Sequence, residues 1–296
     1  MNILVGQDAV DDLLRVLDLE HIDGDIYRGA GPQVAPQRVF GGQVAGQALV
    51  AAGRTMSADR HVHSLHGYFV RPGDSTLPIV YEVERIRDGR SFSVRRVVAL
   101  QQGKTIFFMS ASFHIGERGL EHADEMPDVP PPDEVPTLAK RLADTPDRLG
   151  IWARTPRPID VRYIGESGFA RSGARPAGDE QRVWMKVDGK LPDDPLIHVC
   201  VLTYASDLTL LDTVLNNHGE VWGPGGYLGT SLDHALWFHR PFRADEWFLY
   251  DSVSPSASAG RGLATGRFFA ADGRHIADAV QEGLLRQMPS IPAGVP

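Results

Sequence analysis

Hydrophobic positions first recur at helical spacing. Val10, Leu13, Leu14 and Leu17 fall three and four apart, which predicts an amphipathic helix with one face on a core. Residues 40–56 behave differently: FGGQVAGQALVAAGRTM carries no charge from Phe40 to Gly53 and is small on every face. That predicts a helix buried all round and closely approached by its surroundings. Period-two alternation then predicts strands over residues 61–70, 78–87, 91–101 and 104–115, separated by Pro72-Gly73-Asp74, Asp88-Gly89 and Gln102-Gly103. A buried helix followed by an antiparallel meander predicts a sheet wrapped around that helix.

The pattern lapses and then returns. From Gly116 to about Ala143 the chain is acidic, rich in proline and poor in large apolar residues, which predicts a semi-extended linker. Beyond it, strands are predicted over 157–165 and 181–187. Residues 195–206 form an apolar helix introduced by Asp193-Asp194, good N-terminal residues. Further strands are predicted over 231–240, 246–253, 262–270 and 275–286. The halves can be superposed: Ser64-Leu65 on Ser231-Leu232, Phe69-x-Arg71-Pro72 on Phe238-x-Arg240-Pro241, and Gly103-Lys104 on Gly273-Arg274. The chain thus divides into residues 1–116, a linker 117–148, a second copy of the same unit at 149–288, and a tail 289–296.

Composition narrows the function classes. Thirty Lys and Arg against 38 Asp and Glu give a formal net charge of −8, which argues against non-specific nucleic-acid binding and electrostatic docking on anionic lipid. A polyanionic ligand would need a local basic patch. The single cysteine, Cys200, excludes an intrachain disulfide framework and a cysteine-based zinc site, and its apolar setting predicts a packing thiol. The N-terminal residues carry no basic flank and no run is long enough to span a bilayer. The last residues match no retention or peroxisomal address. A cytoplasmic location is expected.

Several polar residues carry candidate chemistry. Asp207 ends the apolar helix, where its charge faces the carbonyl end of the helix dipole; a helix-end cap and a general base are both consistent with that place. Alternation along SLDHALWF puts Ser231 and Asp233 on one face and His234 on the other, so a Ser–His nucleophile pair is disfavoured. Gln281 sits among Ala277, Ala279 and Val280, where its amide needs partners. In the first half Gln281 falls opposite Ala111, and no acidic residue from Phe40 to Ala58 stands in for Asp207. A fold requirement would show in both halves, so the asymmetry favours function. His61, His63 and His66 lack an accompanying carboxylate or thiolate and read as strand histidines rather than a metal site. Arg85, Arg87, Arg90, Arg95 and Arg96 crowd the Asp88-Gly89 turn, as a solvated hairpin or as a phosphate site.

Together these runs resemble the acyl-CoA thioesterase II family of bacteria and its peroxisomal relatives. The likeness rests on Val39-Phe40-Gly41-Gly42-Gln43, His66-Gly67-Tyr68-Phe69-Val70-Arg71-Pro72-Gly73, Arg87-Asp88-Gly89-Arg90-Ser91-Phe92, Tyr204-Ala205-Ser206-Asp207, Asp233-His234-x-x-Trp237-Phe238-His239-Arg240-Pro241-Phe242 and Gln281-Glu282-Gly283. It implies an α+β tandem (double) hot-dog fold, each half an antiparallel sheet wrapped around a long central helix. It also implies hydrolysis of fatty acyl-CoA by direct attack of water, with Asp207, Ser231 and Gln281 as the catalytic trio. Ser231 is a departure, since the family often has Thr there. Arg90, Arg95, Arg96, Gly41 and Gly42 are the expected substrate contacts. No metal, no cofactor and no covalent acyl-enzyme are implied, and a homo-oligomer, dimer or tetramer, is expected. Two alternatives accompany this: a hot-dog enoyl-CoA hydratase, for which Asp212 and His218 are the nearest candidates, and an acyl-CoA-binding module without catalysis.

Overall fold

The computed structural model describes residues 4–31, 38–141, 143, 156–166 and 180–289. The first copy contains α1 (Gly6–Leu17), β1 (Glu20–Asp23), β2 (Ile26–Gly29), α2 (Gly41–Gly53), β3 (His61–Phe69), β4 (Ile79–Asp88), β5 (Phe92–Gln101) and β6 (Lys104–His114). The second contains β7 (Ile159–Ile164), β8 (Glu180–Val187), α4 (Pro195–Ser206), α5 (Asp212–His218), β9 (Tyr227–Ser231), β10 (Asp233–Phe238), β11 (Phe248–Ser258), β12 (Arg261–Ala270) and β13 (His275–Gln287). Between them lies the short α3 (Leu138–Arg141). The strands form one antiparallel sheet in the order β1-β2-β4-β5-β6-β3-β10-β13-β12-β11-β8-β7, with β9 also pairing β13. Each copy therefore contributes the same meander, and the copies join edge to edge through β3 and β10, with Leu65 opposite Leu236. The fold is the double hot-dog arrangement, and no described helix is long and apolar enough to cross a membrane.

The two central helices pack back to back and antiparallel. A Cβ added at Gly42 would lie 2.4 Å from the Tyr204 carbonyl oxygen, and one at Gly46 would lie 3.2 Å from that of Cys200. The small residues thus let two backbones approach where larger ones would hold them apart. Ala45, Ala48, Leu49 and Ala52 of α2 and Cys200, Val201 and Ala205 of α4 are fully buried in the shared core. The Asp194 side chain accepts from the Leu196 amide and Pro195 fills the first turn, so α4 begins where its sequence predicts. Burial holds the Cys200 thiol well above its ordinary range, which fits a packing role.

The acidic, proline-rich stretch is extended but not loose. Trp184 donates its indole N–H to the Pro130 carbonyl at 2.8 Å. Val135 is buried with Trp184, Leu249 and Phe269, and Met126 and Val129 pack against the same cluster. A few apolar side chains thus strap the segment onto the second copy.

The structure also corrects the alignment of the copies. The ladders end on Phe69–Phe107 in one and Phe238–Ala277 in the other. Counting back from these pairs, Val62–Phe113 takes the place of Ser231–Gly283. Ser231 therefore corresponds to Val62, not Ser64, because each ladder carries a one-residue irregularity at this point.

Candidate active site

Antiparallel packing of the helices brings the C-terminus of α4 against the N-terminus of α2. Asp207, the residue that closes α4, has helical backbone angles (φ −85°, ψ −3°), and its Oδ2 accepts from the Gly42 amide at 2.8 Å. The carbonyl end of one dipole and the amide end of another thus meet at this carboxylate, and the second offsets the first. A Cβ at Gly41 would lie 2.6 Å from Asp207 Oδ2 and 3.0 Å from the Phe69 ring, so only glycine permits this approach. Gly41 and Gly42 border the site by seating the carboxylate.

The other oxygen, Oδ1, is the point of convergence. Ser231 donates its hydroxyl to it at 3.1 Å. Gln281 Nε2 donates to it at 2.7 Å and to Ser231 Oγ at 2.5 Å. A carboxylate only accepts, so the Gln281 amide must turn its NH2 toward it. Three side chains from α4, β9 and β13, 74 residues apart at the extremes, meet within hydrogen-bond distance. The matching residues of the first copy are apolar: Val62 for Ser231 and Ala111 for Gln281.

Alternation through Ser231 and His234 fails in the structure. Leu232 interrupts the strand, with β9 ending at Ser231 and β10 beginning at Asp233. The lost step turns both side chains inward. His234 is buried, with Nε2 2.7 Å from Ser206 Oγ, one residue from Asp207. His234 is the residue that sequence reasoning missed. Its only signal was the polar character of a position occupied by a leucine in the first copy.

The arginine cluster divides. Arg95 is 1% exposed; it donates to Thr55 Oγ1 at 2.7 Å, to the Arg87 and Val94 carbonyls, and to Asp88 Oδ1 at 2.8 Å. Its donors are committed inside the protein, which removes it from the expected phosphate contacts. Arg85 pairs with Asp25 through two hydrogen bonds of 2.6 and 2.9 Å. Arg90 and Arg96 remain exposed, Arg96 with its guanidinium 5.9 Å from the centre of the Phe108 ring.

Two further expectations meet the geometry here. Asp212, the hydratase candidate, is buried and accepts from the Tyr163 hydroxyl at 2.9 Å and the Trp222 indole at 2.6 Å, a structural arrangement. The β3–β6 ladder is irregular at His63, whose Nε2 lies 2.8 Å from Ser112 Oγ. Among the described residues, His239, His275 and Asp278 bring potential metal-ligand atoms within 4.8 Å of one another. In that group each imidazole Nε2 already lies 2.8–3.0 Å from an Asp278 oxygen. Asp278 lies three residues before Gln281 on β13, which puts it on the opposite face of the sheet.

The chain matches two family models. One described as acyl-CoA thioesterase covers residues 168–284, and one described as acyl-CoA thioesterase N-terminal domain covers 31–114. Human acyl-coenzyme A thioesterase 8 is 42% identical over 93% of this chain and 89% of its own length. Acyl-CoA thioesterase 2 of Haemophilus influenzae is 41% identical over 94% and 98%. Among solved structures, the acyl-CoA thioesterase II TesB2 of Mycobacterium marinum is 42% identical, with a TM-score of 0.76 over 96% of this chain and all of that one.

Proposed function

The chain belongs to the acyl-CoA thioesterase family and is a thioester hydrolase, and from that premise we propose that Asp207, Ser231 and Gln281 activate a water for direct attack on a fatty acyl-CoA. The observation that carries this reading is the convergence of the serine hydroxyl and the glutamine amide on one oxygen of Asp207. A water in that position is oriented by donors and acceptors that are already fixed, so little reorganisation accompanies the reaction.

In the proposed sequence, Asp207 takes a proton from the water as its oxygen bonds to the thioester carbonyl carbon. The tetrahedral intermediate then collapses with cleavage of the carbon–sulfur bond. The sulfur leaves with the electron pair and recovers the proton from Asp207, giving a free fatty acid and the thiol of coenzyme A. The water donates to Asp207 and to the free lone pair of Ser231 Oγ, and Gln281 keeps those two acceptors in place through its amide hydrogens. Ser231 is not the nucleophile in this scheme: its hydroxyl hydrogen points to Asp207, and no imidazole is bonded to its oxygen among the described contacts. Arg90 and Arg96 are the proposed contacts for the coenzyme phosphates.

Acid quenching during turnover, followed by mass spectrometry of the intact protein, tests the direct-water step. Unmodified protein is expected at every time point. A mass increment of one acyl group on Ser231 would replace this mechanism with a covalent one.

A further inference from the structure

His234 lies behind the trio, on the strand that pairs with β13. Continuing the β10–β13 register one residue beyond Ala235–Val280 puts His234 directly across from Gln281. Such cross-strand pairs hold their Cβ atoms about 4.5–5.5 Å apart. Both side chains are buried, His234 at 1% exposure and Gln281 at 0%. Two of their atoms, His234 Nδ1 and Gln281 Oε1, have no hydrogen-bond partner in the arrangement described above. Seven buried side-chain atoms among the described residues lack a partner, and these two belong to facing residues.

The Ser206 hydroxyl resolves them. Its oxygen lies 2.9 Å from the Thr203 carbonyl and 2.7 Å from His234 Nε2, and its single hydrogen serves only one of them. With that hydrogen on Thr203, the imidazole must donate through Nε2, and a bare Nδ1 is left facing the glutamine carbonyl oxygen. With the hydrogen on Nε2, the imidazole proton moves to Nδ1, on the residue that faces Gln281 Oε1. One rotation of a hydroxyl thus gives the unpaired Gln281 acceptor a donor on the facing residue. Burial, outweighing the pull of nearby Asp207 and Asp233, holds the imidazole below its ordinary range, so it is neutral near pH 7 and carries one proton to place.

We propose that His234, in its Nδ1–H form and backed by Ser206, is a positioning residue that donates to Gln281 Oε1 and so locks the amide NH2 onto Asp207 and Ser231. The first copy supports this independently. Counting from the ladder ends, Leu65–Ala111 occupies the place of His234–Gln281, and both residues are buried and apolar. The fold accepts a leucine and an alanine there. The histidine and the glutamine are present together in the copy that holds the carboxylate and absent together from the other.

The inference rests on the trio described under the proposed function, and the test separates the two. His234→Asn keeps a donor near Nδ1, whereas His234→Gln reaches only toward Nε2 and Ser206. Thiol release from acyl-CoA is expected to show kcat for His234→Gln lower by about 10- to 100-fold with KM nearly unchanged, and His234→Asn close to the parent. Equal loss in both variants, or no loss in either, would overturn the proposal. Nitrogen-15 NMR of the histidine-labelled parent protein reads the tautomer without any substitution: Nδ1–H is expected, and Nε2–H would overturn it. Gln281→Ala is the control for the underlying reading. Full activity there removes the trio itself, whereas impaired Gln281→Ala with unimpaired His234→Gln removes only the role of His234.

Discussion

Arg95 is a buried side chain that a count of charges sends to the surface, and His234 is one that alternation turned away from Ser231. A count of charges around a hairpin turn groups Arg95 with its exposed neighbours, yet its guanidinium bridges Thr55, Asp88 and two backbone carbonyls. Arg95→Met is expected to lower unfolding free energy by about 1–3 kcal/mol in urea titrations, because it removes the bonds to Thr55, Asp88 and two carbonyls, with KM for acyl-CoA little changed. A raised KM with undiminished stability would return Arg95 to the substrate site. For Ser231 relative to His234 the failure was one of phase. Alternation is a local rule, and a single irregular residue between β9 and β10 reverses it. Asp207 was legible because helix α4 carries no Asp, Glu, Lys or Arg along its length, so a carboxylate at its end stands out.

At the scale of elements, strong periodicity was read to within a residue or two. Helix α4 begins and ends where its capping aspartate and apolar run predict, and β4, β5 and β6 follow the alternating segments. The extended segment after β6 was harder, since its composition matches a free linker and its anchors, Val135 and Trp184, meet only in three dimensions. The small residues of α2 announced close approach but could not name the partner. That partner is α4, and the contact seats Asp207 against the Gly42 amide. Gly42→Ala is therefore expected to force the helices apart, costing about 1–3 kcal/mol in thermal or urea unfolding and lowering kcat at the same time. A stable, fully active Gly42→Ala protein would mean that the helix contact does not position the carboxylate.

For the whole molecule, duplication explains why two similar units carry one proposed site. The sheet is continuous through β3 and β10, and both central helices share a core, so the first copy serves as a wall and as the source of the Gly42 amide. It has Val62, Leu65 and Ala111 where the second has Ser231, His234 and Gln281. The resemblance in the sequence anticipated the fold and singled out three residues whose side chains the fold brings together; the layer behind them depended on register and hydroxyl orientation, which no single sequence displays. The most direct test is thiol release by Asp207→Asn, a change that keeps the shape and removes the base. If one site serves the chain, the rate falls by about 10²–10⁴ in a protein whose circular dichroism and melting match the parent. A correctly folded Asp207→Asn protein that keeps half or more of the parent rate would contradict both the base and the single site.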